Sequence, residues 1–310
     1  MKEFSRKCKL MGSAFELLVV EEEPQKADLL LNAGIEEIRR IENLLSEFLP
    51  DSDTSRLNNH AWNEPVTVDK ECFDLIERCI GISKLTEGNF DISVSPLKKL
   101  YSFKNAQFEM PAENLIRETL THLGFRKILT DRQNRTIRFD NNRLRISFSA
   151  IGKGYASDKV KQLWLDAGVK SGFINASGDL NAFGSKPDGS PWKIGIADPD
   201  DRNKILLFIP LYNASVATSG DYEQFFINNN VRYSHTINPL SGLPVTGVKS
   251  VTVFSPGAEL SDALATAVNV MGVRKGIDFI NQLPHTHCIM IDDKNKVYFS
   301  NKMKYEEVSV

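Results

Sequence analysis

INASGDLNAFG, residues 174–184, decides the fold class. Two β-like runs flank Ser177, Gly178 and Asp179, and a connection that short joins antiparallel neighbours, because a parallel crossover needs a dozen residues or more. Working outward, strand-like runs recur near 172–176, 192–196, 205–211, 214–218, 224–228, 231–237 and 248–254. Upstream, Phe15 to Val20 reads as a strand, and runs near 126–130, 135–139 and 144–148 read as a meander. Adjacent strands with short turns predict an α+β class, with mainly antiparallel sheets and packed helices, rather than a doubly wound sheet.

The helices follow from apolar spacing. Leu30, Leu31, Ile35, Ile38, Ile41, Leu44, Leu45 and Phe48 recur at helical intervals until Pro50. DSDTSRLNNH, 51–60, reads as a polar turn segment, after which Asp69 can cap a helix carrying Phe73, Ile76, Ile80 and Leu85 toward a core. The segment through Phe108 reads as irregular, and a short helix is expected to open at Pro111. Further helices are expected over Gly152 to Ala167, with Val160, Leu163 and Trp164 on one side, and from about Glu259, with helix and strand alternating through Phe299. No repeat or flexible linker divides the chain. It reads as one compact unit over 1–310, its core about 11–300, with length enough for two lobes.

Composition bounds the partners. With 41% apolar residues the 310-residue chain can bury a sizeable core, and 38 basic against 40 acidic residues leave a net charge of −2. That balance supplies no general field for nucleic acid or an acidic membrane. Cys8, Cys72, Cys79 and Cys288 are scattered, fit neither a metal clip nor a CxxC pair, and suggest reduced thiols. No signal-peptide pattern opens the chain, and no apolar run approaches the roughly 18 residues that span a bilayer. The expected location is the cytoplasm.

Five segments carry chemistry. ISFSAIGKGYASD, 146–158, runs from a strand into a helix opened by Gly-Lys-Gly, where free N–H groups and Lys153 could receive a phosphate; an ordinary strand-to-helix turn is the alternative. At 174–184, Gly178 suits a tight turn, and Asp179 is either a turn former or a ligand acceptor. ASVATSGD, 214–221, is dense in small hydroxyl residues, Ser219 among them, and loops of that kind contact phosphates. In YSHTINPLSGLP, 233–244, His235 ends a strand before an Asn-Pro turn; it is either structural or a base for a positioned hydroxyl. In SDALATA, 261–267, Asp262 and Thr266 stand four apart on one helical face, either as cap and packing or as an oxygen-only site suited to magnesium rather than zinc.

In their order along the chain these segments resemble the FAD:protein FMN transferases, the ApbE family. Matching pieces are MGS at 11–13, FLPDS and SRLN within 48–58, GNFDISVSPL at 88–97, SAIGKGYASD, ASGD, VATSGDY, SHTINPLSGLP and SDALATA. The resemblance implies an α+β fold that binds FAD in a cleft, with magnesium at its pyrophosphate held by the Ala150 carbonyl, Asp262 and Thr266. It also implies a flavin-site role for Met11 and aromatic or neighbouring contacts at Phe48, Leu100 and Tyr101. Phe48 stands where many members have tyrosine, Ser147 where some have aspartate, and Asn238 where aspartate before proline is usual.

The mechanism implied is attack of a Thr or Ser hydroxyl of an acceptor flavoprotein on the FMN-side phosphorus, with AMP leaving. His235 would receive the hydroxyl proton, while Lys153 and the Ser177–Asp179 turn fix the substrate. Two alternatives share these residues: a magnesium-dependent FAD pyrophosphatase, in which water replaces the hydroxyl, and a flavin-binding protein without turnover.

Overall fold

A nine-residue strand opens the chain: β1 (Lys2–Leu10) pairs with β2 (Ser13–Glu21) through Met11 and Gly12, at φ 50° and 69°. The charged residues of β1 suit the edge of a sheet, where they discourage pairing with another chain. The computed structural model describes residues 1–101, 110–201, 203–220, 225–228, 231–303 and 306–307. After the hairpin come α1 (Pro24–Leu45), α2 (Asp53–His60), β3 (Val66–Thr67), α3 (Lys70–Leu85), α4 (Ser95–Lys98) and α5 (Glu113–His122). Then follow β4 (Ile128–Asp131), β5 (Thr136–Phe139), α6 (Gly152–Asp166), β6 (Gly172–Ala176), β7 (Asp179–Phe183), β8 (Trp192–Ala197) and β9 (Ile205–Leu211). The remainder is β10 (Ser215–Gly220), β11 (Phe225–Asn228), β12 (Val231–Ser234), β13 (Val248–Ser255), α7 (Ala258–Met271), α8 (Val273–Ile280), β14 (His287–Asp292), β15 (Val297–Phe299) and β16 (Glu306–Glu307).

One eight-stranded sheet, in the order β1-β2-β6-β7-β10-β13-β14-β15, organises the molecule, and each of its pairings is antiparallel. Its inner strands are buried on both faces, so alternate residues feed different cores. In β2, Phe15, Leu17 and Val19 pack with Ile38 and Ile41 of α1 and Val160 and Trp164 of α6. Leu18 and Val20 face the opposite way, joining Trp192, Leu207 and Ile209 of the small sheet β16-β9-β8. Toward the other edge, Val251, Val253, Cys288 and Met290 pack with Leu264 and Val268 of α7, while Phe254 and Ile289 join the β8–β9 side. The α+β class and its antiparallel pairing hold.

Several expectations are corrected. DSDTSRLNNH is not a turn segment: 53–60 form α2, although its residues are poor helix formers. A local N-cap and tertiary hydrogen bonds together outweigh propensity. Ser52 accepts the Ser55 N–H at 3.0 Å, Thr54 donates to the Leu45 carbonyl at 2.9 Å, and Asp53 accepts the Asp69 N–H at 2.7 Å. The run near 144–148 forms no strand and joins no ladder, because the Asn58 amide takes the place of a neighbouring strand. It donates to the Ile146 carbonyl at 3.0 Å and accepts the Ile146 N–H at 2.8 Å. The meander is therefore completed by β3, in the order β3-β5-β4. Leu85 is 50% exposed at the end of α3 rather than in a core. Within the segment read as irregular, 95–98 form α4, and 102–108 lie outside the described residues.

Candidate active site

The cleft exists because two helix N-termini meet. A Cβ on Gly154 of α6 would lie 2.3 Å from the Ala258 carbonyl oxygen of α7, so glycine permits a backbone approach that no other residue allows. Asp158, one turn further along α6, accepts the N–H groups of Ala258 and Glu259 at 2.9 and 2.8 Å and so caps α7 from outside. The Gly154 N–H donates to Asp262 Oδ2 at 3.2 Å. The carboxylate of one helix thus sits at the N-terminus of the other, where unpaired N–H groups favour an anion.

The facing wall comes from the sheet. Ser177 and Gly178, at φ 55° and 103°, form the tight β6–β7 turn, and Asp179 opens β7. Asp179 Oδ2 pairs with Lys153 Nζ at 3.0 Å, and its Oδ1 accepts the Thr218 N–H at 2.9 Å. That single side chain joins α6, β7 and β10. Past β12, the Asn238 side chain accepts the Leu240 N–H at 2.8 Å, and the Asn238 N–H donates to the Leu243 carbonyl at 2.8 Å. The turn so closed holds His235 and Pro239 against the cleft, with Gly242 at φ 73°.

A cavity of about 370 Å³ results, and it gathers Ala150, Lys153, Asp179, Ser219, His235, Asp262 and Thr266 from five separated segments. A second compartment of about 290 Å³ adjoins it through Gly12, Ser13, Ser149 and Lys153, and takes in Met11, Phe48 and Ser147. Phe48 is 87% exposed on its rim. Gly178, Leu100 and Tyr101 line neither compartment. Gly178 donates its N–H to the Asn175 side chain at 2.8 Å. Tyr101 is buried in a small cluster with Leu97, Ile116 and Ile237, with Leu100 against it, and its hydroxyl donates to the Gly242 carbonyl at 2.7 Å. Both therefore support the turn beside His235.

Electrostatically the cleft is crowded. Burial, with Asp179 alongside, pushes the Asp262 carboxyl well above the usual carboxylate range, against the pull of Lys153. A buried acid of that kind awaits either a proton or a cation. Among the described residues no group of three or more His, Cys, Asp or Glu side chains gathers in metal-binding range. A cation at Asp262 would therefore draw on the Thr266 hydroxyl, the Ala150 carbonyl and substrate oxygens, a donor set fitted to a hard cation.

The model of the ApbE family matches residues 11–290. The chain belongs to the ApbE family. Among its curated relatives are proteins named FAD:protein FMN transferase from Vibrio cholerae, 30% identical over 95% of this chain and 90% of that protein, and from Treponema pallidum, 28% identical over 96% and 86%. Among solved structures it is similar to the ApbE protein of Thermotoga maritima, with a TM-score of 0.88 and 30% identity over 97% of each chain. The ApbE flavin transferase of Vibrio cholerae superposes with a TM-score of 0.86 at 25% identity, again over 97% of each chain.

This member of the ApbE family also carries site residues that its sequence did not disclose. Glu47 lines the second compartment and accepts the Ser147 hydroxyl at 2.7 Å, so a carboxylate stands beside the serine. Lys98 projects into the main cleft, and Asp158 organises both helices. Neither Glu47 nor Lys98 was detectable as a pattern. Glu47 is 100 positions from Ser147, and a lysine after a short apolar run looks like any solvated charge. Asp158 had one usable signal, an acidic residue inside the SAIGKGYASD segment.

Proposed function

We infer that this ApbE-family chain transfers FMN from FAD to a hydroxyl side chain of a target flavoprotein and releases AMP. The observation that carries the reading is the convergence of Lys153, Asp179, His235, Asp262 and Thr266 on one cleft with an apolar-walled neighbour, in a chain whose curated relatives are named for that reaction. A pyrophosphate suits the polar cleft, and Met11 and Phe48 offer apolar contact to a flavin next to it. Asp262, Thr266 and the Ala150 carbonyl would hold magnesium, which when bound withdraws negative charge from the pyrophosphate.

The acceptor's hydroxyl oxygen forms a bond to the FMN-side phosphorus, and the bond from that phosphorus to the bridging oxygen breaks. His235 receives the hydroxyl proton. Lys153, oriented by Asp179, and the hydroxyl of Ser219 hold phosphate oxygens in place. A Thr or Ser within a short acceptor motif is the expected target. With four unpaired cysteines and no helix among the described residues long and apolar enough to cross a membrane, a reducing compartment, the cytoplasm, suits the protein.

The test is incubation with FAD, magnesium and a flavoprotein bearing such a motif, followed by in-gel flavin fluorescence and intact mass of the acceptor. The expected result is one FMN per acceptor, lost on chelation and in Asp262→Ala. FAD split to FMN and AMP with an unlabelled acceptor would overturn transfer in favour of hydrolysis to water.

A further inference from the structure

Two lysines enter the cleft, and they differ in what holds them. Lys153 is paired with Asp179 at 3.0 Å. Lys98 ends α4, a short helix with Pro96 in its first turn and anchored by fully buried Leu97. Its side chain is half-buried, lines the cleft, and donates to the Ser149 hydroxyl at 3.4 Å. Ser149 immediately precedes Ala150, so Lys98 reaches the corner at which Asp262 also stands.

Among the described residues no carboxylate forms an ion pair with Lys98. Glu47 and Asp262 act on it through space, but neither lies within ion-pair distance, and both Glu47 oxygens and one Asp262 oxygen accept hydrogen bonds from other groups. Glu47 accepts the Ser147 and Ser95 hydroxyls at 2.7 and 3.4 Å, and Asp262 accepts the Gly154 N–H at 3.2 Å. Burial pulls the Lys98 ammonium below its ordinary range against these two acids. An ammonium withdrawn from water without a close carboxylate is costly, and the cost is recovered when an anion enters.

We propose that Lys98 binds the phosphate of the departing nucleotide and carries the charge that develops there. This rests on the FMN-transfer reading. When the acceptor oxygen bonds to the FMN-side phosphorus and the phosphorus–bridging-oxygen bond breaks, the electron pair stays on the bridging oxygen, which leaves as a terminal oxygen of AMP. The proton of the hydroxyl goes to His235. AMP therefore gains one negative charge, whereas the transferred FMN phosphate gains none. A cation not already neutralised has most effect where charge increases, and Lys98 meets that condition better than Lys153. Lys98 keeps its proton throughout.

The experiment compares the wild type, Lys98→Met and Lys98→Arg as full-length protein, each first shown to melt at the same temperature. Calorimetric titration with AMP and, separately, with FMN reads binding without turnover. Lys98→Met should weaken AMP about 10-fold or more and leave FMN within about 2-fold, while Lys98→Arg keeps most AMP affinity. In the transfer assay Lys98→Met should lower kcat about 100-fold with a smaller change in KM for FAD. Unchanged AMP affinity in Lys98→Met, or equal losses of AMP and FMN, would overturn the assignment. Wild type that binds AMP through Lys98 yet labels no acceptor would sink the transfer reading while the phosphate site stands.

Discussion

Asp262 stands buried beside Asp179 in the cleft, and its titration is the sharpest consequence at the scale of single residues. Burial and Asp179 raise its carboxyl to about 7, from a reference of 3.8. The folded protein therefore binds a proton that the unfolded chain has released, and stability falls as pH rises between those values. Asp262→Asn keeps an acceptor for the Gly154 N–H while removing the charge. In chelator at about pH 8 it should melt about 2–4 °C above the wild type, read by differential scanning calorimetry. Magnesium should stabilise the wild type at that pH, do so less near pH 5.5 where a proton competes at about the same oxygen, and leave Asp262→Asn unmoved. A wild type indifferent to magnesium at both pH values would remove Asp262 from the cation site. Asp262 and Thr266 were readable in the sequence because four residues on a helix put them on one face. Lys98 and Glu47 were not, since their neighbours lie far away along the chain.

At the scale of elements, the approach of α6 to α7 places the chemistry. Gly154→Ala would drive a methyl group into backbone, 2.3 Å from the Ala258 carbonyl oxygen, and should cost about 1–3 kcal/mol in urea unfolding while also displacing the Gly154–Asp262 hydrogen bond. Gly81, exposed inside α3 with open space around it, is the control. Gly81→Ala should stabilise by about 0.5–1 kcal/mol through helix propensity alone. Equal effects at the two sites would show that propensity, not close packing, sets the Gly154 requirement. The sequence presented Gly152-Lys153-Gly154 as a phosphate-friendly opening, a reading in which the glycines serve a ligand. For Gly154 the structure adds a different reason, the neighbouring helix. The α2 helix shows the same limit from the other side, because its buried polar residues are satisfied by partners that local sequence does not contain.

Across the whole molecule, Glu71 of α3 ties three helices of the main core together. It meets Arg40 of α1 at 2.7 Å and Lys159 of α6 at 3.1 Å, and it accepts the Tyr155 hydroxyl. Burial alone would raise this carboxyl, but hydrogen bonds from Arg40, Tyr155 and Lys159 prevail and hold it at about 2, below its reference of 4.5. A depressed pKa contributes stability that is fully present above the unfolded value and lost as pH falls through the folded one. Glu71→Gln should therefore lower stability at about pH 7 by roughly 1 kcal/mol, discounted because the site is partly open to solvent, and this difference should vanish by about pH 2. Acid unfolding followed by circular dichroism checks it. A gap between variant and wild type that persists at the lowest pH would point to lost packing instead of charge.

The sequence by itself determined the α+β class, the antiparallel pairing, the main amphipathic helices and the family, because short turns, apolar periodicity and ordered motifs are local properties of the chain. It also singled out Asp179, His235, Asp262 and Thr266 as residue types with chemical uses, each beside a structural alternative. Their convergence was decided only by tertiary structure. The Gly154–Ala258 contact, the Asp158 cap and the bridge from Asp179 to Lys153 and Thr218 act across separations that no spacing rule reaches. The physical reason is the same in each case: a hydrogen bond or a close contact depends on distance in space, and only packing of the sheet against its helices sets that distance.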